Sequence, residues 1–564
     1  MTNRPILSRV RRLTETEDDA RFPYASAIDA LARRAEDAPE RPAFVGRDEA
    51  VSYGELWEDA TLMARGLFLR GVDRGGRCAL ALPPGRDLVR LIFAVQALGA
   101  APVLFDPALP ASVLLRRIRD ARAEVAVCDI DRLSLLGAEV RRVHGRIKLR
   151  SPLDVLDDAT ANRVGDVVPS RRDMALLAAT ASVRERLRAS IFRHAEVMAF
   201  CNALADAWDS RRDDVIAASG PPWIGAAAIV AILYPVVTGG CGVMSAASAD
   251  DESFADWVQD LAAHEVSRLI TTEGAARRLA AVATVTKKRL PALRDVVIAG
   301  EAPRASTVDA FAGLLSGTAR PRSAYSLTEA GGPVAITDTG ASAADGDHGA
   351  VMAGRPIGGA TVRVVDGDGA IAPAGMVGAI EVRGPQLFAG YFDDPSATAA
   401  VMHDGWLVTG DLGYLDTEGT LFVLCREADV IRLPDRRIVP REVEEAAASV
   451  DKVVDVAAIG RAAKARRDGS PDGQGVAVIV EVGAATRSAR DDMAAISTAV
   501  TDAVRAAVDV EPEEVLLVES GVIPRAADGR VLYRHLRELV ASGRLGREGA
   551  ILHGGDVFVS PLKR

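Results

Sequence analysis

The amino-acid sequence predicts an α/β fold built largely on parallel sheets, and three observations carry that prediction. Short β-rich runs alternate with amphipathic helical stretches for most of the 564 residues. Near 345–425 the rhythm changes to short strands punctuated by glycine, and after Cys425 the α/β alternation resumes on a smaller scale. The length exceeds what one hydrophobic core supports, so two or more domains are expected.

The N-terminal "MTNRPILSRVRRL" is basic but lacks the apolar run of a signal peptide. "RCALALP" then reads as a strand before the helical "DLVRLIFAVQALGA". "APVLFD" precedes "ASVLLRRIRDAR", and "VAVCD" opens a further unit. Ile224–Met244 is uncharged over a length that would span a membrane. Pro235 and the Gly239-Gly240 pair interrupt it, so it reads as a buried helix running into a buried strand. "DGDG" and "DTEG" mark turns between the later strands. Residues 461–475 read as a solvated loop, and the glycine-rich, basic residues 543–564 as a flexible tail.

Composition removes several function classes. A formal net charge of −10 leaves no basic surplus to neutralise phosphates, which argues against nonspecific nucleic-acid binding. Cys78, Cys128, Cys201, Cys241 and Cys425 show no CxxC or His pairing. They read as reduced thiols of a cytoplasmic protein, not as a disulfide framework or zinc site.

Nine motifs in a fixed order carry a family resemblance. They include "VSYGELWEDATLMARGLFLRGVDRGGRCAL", "ALGAAPVLFDPALP", "VIAGEAP", "AYSLTEAGG", "GWLVTGDLGYLD", "CREADVIRLPDRRIVPREVEE" and "IPRAADGRVLYRHL". Over about residues 26–540 the chain resembles the adenylate-forming (AMP-binding) superfamily, of the acyl-CoA synthetase and fatty acyl-AMP ligase type. The resemblance implies a 26–424 domain of stacked α/β layers with a small β-barrel, after a 1–25 extension. It also implies a small mobile α+β lid over 425–542. The implied reaction joins a carboxylic acid to ATP as acyl-AMP, then hands the acyl group to a thiol of CoA or of a phosphopantetheine-bearing carrier protein.

The resemblance also assigns roles. Tyr325 would stack on adenine, and Thr328 and Glu329 would hold Mg²⁺ beside the phosphates, oxygen donors suited to a hard cation. Asp411 would accept from the ribose hydroxyls with Arg426 beside it, and Gly300, Glu301, Ala302 and Pro303 would border the adenine. Arg437 matches a retained arginine, while Ala428 and Asp435 depart from the pattern near the thiol's approach. Trp223 reads as an acyl-pocket wall or as plain packing. Ala330, Gly331 and Gly332 leave room for an acyl chain or aryl acid, and "PPWIGAAAIVAILY" has no acid to receive an amino group.

Two breaks divide the reading of activity. The family's phosphate loop is glycine-rich and ends Pro-Lys-Gly; counted back from His194, Thr180–Ser190 puts Ser182, Glu185 and Ala189 at its glycine positions. Arg188 falls on the lysine and Leu187 on the proline. Backbone N–H groups cradle phosphates best where no Cβ intervenes. The apolar spacing of Val183, Leu187 and Ile191 fits a helix that begins early, with the arginines as its solvated face. The second break is Arg530, which stands where the family has its adenylation lysine. Both an adenylating ligase with a rebuilt phosphate grip and a catalytically weak or silent binder of AMP, acyl-adenylate or a carrier protein fit these residues.

Overall fold

The computed structural model describes residues 21–143, 147–157, 169–179, 187–245, 251–286, 289–300, 303–312, 314–315, 321–338, 346, 349–462, 474–483, 490–526, 530–545 and 551–553. Thr180, Ser182, Glu185, Glu301 and Ala302 lie outside them, as does most of the 461–475 loop. Two compact units emerge: Met1–Ala343 with Ala353–Val362 and Glu381–Val408, and Ala344–Met352 with Arg363–Ile380 and Thr409–Arg564.

In the first unit, β1 (Pro42–Val45) and β2 (Ala50–Ser52) pair antiparallel. Strands β3 (Arg77–Ala81), β4 (Ala101–Leu104), β5 (Val125–Cys128), β6 (Lys148–Arg150), β7 (Met174–Ala179) and β8 (Ala189–Arg193) form a six-stranded sheet. Its order is β6-β5-β3-β4-β7-β8, with every neighbour parallel except β7 and β8. Then come β9 (Val215–Ala218), β10 (Cys241–Val243), β11 (Arg268–Thr271), β12 (Asp295–Ala299), β13 (Arg322–Leu327) and β14 (Gly332–Ile336). They run β14-β13-β12-β11-β9-β10-β1-β2, parallel from β13 through β1 and antiparallel at both ends.

The expected alternation is therefore present. "RCALA" is β3, the helix Arg86–Ala97 follows it, "APVL" is β4, the helix Ala111–Asp120 returns, and "VAVC" is β5. Each strand is an almost unbroken buried run, as parallel strands covered on both faces require. Local signals set the helix starts: Ser52 and Glu55 form a capping box for Tyr53–Leu69.

The uncharged stretch also behaves as read. A buried π-helical segment, Ile229–Leu233, continues as the helix Tyr234–Thr238, which Gly239 ends at φ 78° before β10. No helix among the described residues is long and apolar enough to cross a membrane. All five cysteines are free thiols.

A ladder of buried charge ties the starts of β9, β11, β12 and β13 together. Arg268 Nε lies 3.3 Å from both Asp214 carboxylate oxygens, and its Nη1 lies 3.2 Å from Asp295 Oδ2. Arg322 Nη1 reaches the same Asp295 oxygen at 3.1 Å. Burial is the main influence on Asp295 and raises its pKa, while Arg322 and Arg268 pull it back down.

From Thr409 onward in the second unit, the strand Trp406–Leu415 forms a hairpin with Leu421–Arg426 that pairs Asp411 with Arg426 and Leu415 with Leu421. A second sheet carries Val453–Ala462, Gln474–Val482, Glu514–Glu519 and Ile551–His553 in that order. Val478, Val480, Val500, Val504 and Leu517 are fully buried around it.

One expectation changes. No sheet among the described strands closes on itself, so the small β-barrel is not found; the later strands add to open antiparallel edges instead. The division between the two compact units falls between Val408 and Thr409, within the strand Trp406–Leu415. Toward the C-terminus Leu545 is buried and Ile551–His553 pairs antiparallel with Glu514–Glu519.

Candidate nucleotide and phosphate site

In the first unit the site forms where β7, β12 and β13 end. β13 delivers Tyr325, 8 % exposed, and passes into a 3₁₀ turn over Thr328–Ala330 that Gly331 closes at φ 79°. The turn presents Thr328 and Glu329 side by side, both half-buried. Between Tyr325 and this turn the Ser326 Oγ is buried with no hydrogen-bond partner among the described residues. At the end of β12, Gly300 sits at φ 93°, and among the described residues beyond its chain neighbours no atom stands within 4 Å of where its Cβ would be. Pro303, two positions past the undescribed pair, is buried.

A turn after β9 completes this corner. Trp223 is half-buried in it, and Gly225, at φ 52°, donates its N–H to the Ala179 carbonyl at 2.8 Å. A Cβ on Gly225 would come within 2.9 Å of Thr328 Oγ1. Three segments distant in sequence thus converge: the last residue of β7, the Trp223 turn and the Thr328 hydroxyl. Composition and periodicity gave no sign of Gly225, because its glycine requirement comes from a neighbour about a hundred residues away.

Arg188 departs from the early-helix reading. The residues after Leu187 form β8, hydrogen-bonded to β7 on one side and to 389–392 on the other, and the helix begins only at His194. Arg188 is therefore not on a solvated helical face. Its guanidinium carbon lies 5.0 Å from the centre of the Tyr391 ring, within cation–π range. The Tyr391 hydroxyl donates to Glu329 Oε1 at 2.6 Å. The lysine-position cation and the carboxylate of "YSLTE" thus meet on one tyrosine that the sequence did not single out. At the other end of β8, His194 is wholly buried and neither ring nitrogen has a partner among the described residues; burial lowers its pKa to about 4, and Asp173 counters only part of that.

The small residues Ala330, Gly331 and Gly332 have a packing cause. A Cβ on Gly331 would meet Ile229 and Phe200 at 3.4 Å, and one on Gly332 would meet Phe200 at 2.8 Å. Ala330 is fully buried. The space they leave is taken by Phe192, Phe200 and Ile229 of the protein itself.

The second unit holds the other candidates. Asp411 is 7 % exposed, its N–H donates to Thr409 Oγ1 at 3.1 Å, and the Arg426 Nε lies 3.3 Å from its Oδ1. Acceptor and fixed cation are held together by the hairpin register. Arg437 starts the return strand of a tight hairpin over 431–438, with exposed Asp435 at its tip. Arg530 lies on a turn where its carbonyl accepts from the Ala526 N–H at 2.8 Å. Ala428 sits in a short exposed 3₁₀ turn, Glu427–Asp429.

Known proteins resemble this chain in sequence and in fold. Residues 31–392 match the AMP-binding enzyme family. The chain is 37% identical over 169 residues to "Putative ligase Rv1013" of Mycobacterium tuberculosis, spanning 30% of each protein. It is 26% identical over 542 residues to the 3-hydroxybenzoate–CoA ligase of Aromatoleum sp., covering 91% of this chain and 96% of that one. The fold matches that of McyG A-PCP complexed with phenylalanyl-adenylate, with a TM-score of 0.80 at 19% identity over 95% of this chain and 99% of that one. With the family pattern spanning well over half its length, the chain belongs to the AMP-binding enzyme family.

Proposed function

We propose that this protein is an ATP-dependent acid–thiol ligase that activates an acyl or aryl carboxylic acid as its adenylate. A carboxylate oxygen attacks the α-phosphorus, the bond to the β-phosphate oxygen breaks, and pyrophosphate leaves. A thiol of CoA or of a carrier-protein pantetheine arm then attacks the acyl carbon and AMP departs. The relatives named as CoA ligases support this reaction class.

One observation favours the enzyme over a silent binder: Arg188 and Glu329 are gathered on Tyr391. A binder of AMP alone has no use for a fixed cation and a carboxylate at the outer-phosphate position. Tyr325 and Gly300 would take the adenine, and Asp411 with Arg426 the ribose hydroxyls. Arg530 would meet the charge developing at the α-phosphate, in the lysine's stead.

The donor set fits Mg²⁺ carried in on ATP. Thr328 and Glu329 offer hard oxygens, and no cluster of three or more His, Cys, Asp or Glu gathers among the described residues. The phosphates would therefore supply the remaining ligands. When bound, the ion would neutralise charge on the leaving pyrophosphate.

Isotope exchange between pyrophosphate and ATP, run across a panel of carboxylic acids with full-length protein, tests the reading. Exchange with at least one acid is expected, falling about 10²–10³-fold in Arg530→Ala. A rebuilt site should also lose rate in Arg530→Lys, since the shorter reach and single point charge do not replace the guanidinium fork. Silence across the panel with measurable AMP binding would hand the case to the binder.

A further inference from the structure

Resting on the ligase reading, we propose that Ser326 is a specificity-determining residue whose hydroxyl hydrogen-bonds a hydroxyl substituent on the carboxylic acid substrate. Ser326 Oγ is buried and has no partner among the described residues. A buried hydroxyl left unpaired is destabilising, so one kept beside a candidate site calls for a partner that arrives with the ligand. Ser326 precedes Thr328 by two residues of extended chain, about 7 Å. The substituent therefore sits within a few bonds of the carboxylate that reacts beside Thr328.

Strand alternation sets the face on which that hydroxyl lies. Val296 and Ile298 of β12 share a core with Phe254, Trp257 and Phe311 of the helices Asp251–Ala263 and Ala305–Ala312. Val297 points to the opposite face, and the register pairs it with Arg322 of β13. Arg322 Nη1 accordingly donates to the Ala207 carbonyl, in the helix His194–Trp208, at 3.0 Å. Counted by twos along β13, Ala324 and Ser326 share that face and Tyr325 takes the other. The register shift against β14 leaves the count intact, because 324–327 pair in unbroken succession and the extra residue, Val334, is on β14. The candidate adenine residue and Ser326 thus lie on opposite faces, which gives the hydroxyl to the acid and not to the base.

The layer on that face offers no charge. The π-helical segment packs on the same helix, and a Cβ on Gly331 would meet its Ile229. Residues 219–238 contain no charged side chain. Their hydroxyls are already engaged: Ser219 Oγ accepts from the Thr272 N–H at 3.2 Å, Thr238 Oγ1 donates to the Tyr234 carbonyl at 3.1 Å, and the Tyr234 hydroxyl pairs with Ser210. A charged substituent would meet no counter-charge from these residues, whereas a hydroxyl can donate to Ser326 and accept from it.

The test uses full-length protein and matched acids that differ by one hydroxyl: benzoate and butyrate, each against its monohydroxy isomers. Pyrophosphate exchange gives kcat/KM for every member. In wild type the preferred hydroxy acid should exceed its parent about tenfold, the scale of one hydrogen bond whose absence leaves a buried hydroxyl unpaired. In Ser326→Ala that ratio should fall to within about twofold. Ligand-free Ser326→Ala should keep or raise the urea midpoint of wild type, because no protein partner is lost. A wild-type ratio near unity for every pair overturns the proposal, and so does a preference that survives in Ser326→Ala. A lowered midpoint overturns it too, by showing that the protein itself holds the hydroxyl. The same acids presented as non-hydrolysable acyl-sulfamoyl adenosines, titrated by calorimetry, separate the two readings. Absence of exchange in wild type with a Ser326-dependent preference among these analogues sinks the ligase reading and keeps the role of Ser326. Exchange without that preference sinks the role alone, and absence of both sinks both.

Discussion

At the scale of single residues, burial and near neighbours decide chemistry that residue type leaves open. His194 opens its helix wholly buried, and burial lowers its pKa from 6.5 to about 4. The folded state holds it neutral, whereas an unfolded chain would protonate it below about 6.5. Between pH 6.5 and 4 the unfolded state therefore binds more protons, and stability falls as pH falls. Urea midpoints measured across that window should drop in wild type and drop less in His194→Asn, by about one proton's worth of slope. Equal slopes would place the titrating group elsewhere. Arg188 makes the same point about position. The four-residue spacing of Val183, Leu187 and Ile191 around it read as helix, but hydrogen-bonding partners on both flanks of 189–193 satisfy the backbone as strand. Partners that distant leave no periodic trace near residue 188.

At the scale of elements, the parallel strands were legible because each is a short apolar run with a helix behind it. The charged residues at their starts were not. Asp214, Arg268, Asp295 and Arg322 look like ordinary surface charges in sequence, yet all four are under 8 % exposed and pair across four strands. Arg268→Ala takes a buried partner from two carboxylates and is expected to cost about 3–5 kcal/mol in denaturant unfolding, well above Arg294→Ala, whose exposed guanidinium also pairs with Asp214 at the ladder's rim. Comparable losses for the two variants would show that the buried ladder is not held as a unit. The glycines after "YSLTE" carry a related lesson. A Cβ on Gly331 or Gly332 would meet Phe200, so packing by itself calls for glycine there.

At the scale of the whole molecule, the five tryptophans provide a built-in reporter. Trp57, Trp208, Trp223, Trp257 and Trp406 all belong to the first unit. The strand Ile551–His553 belongs to the second and covers the edge of Glu514–Glu519. Truncation after Leu545 should lower the unfolding transition seen by far-ultraviolet circular dichroism while the tryptophan fluorescence transition stays in place. It should also promote self-association through the bared strand edge. A joint shift of both probes would mean that the two units unfold as one.

Sequence alone determined the α/β alternation, the buried helix-to-strand passage at 224–244, the order of motifs, and the identity of most candidate site residues. These are written in periodicity and local composition, which act over a few residues and survive without knowing the fold. Only the tertiary structure decided that Arg188 and Glu329 share Tyr391, that Gly225 must be glycine beside Thr328, and that the last strand docks at a sheet edge. Those facts are contacts between residues tens to more than a hundred positions apart, and the free energy that selects them exists only once the chain has brought them together.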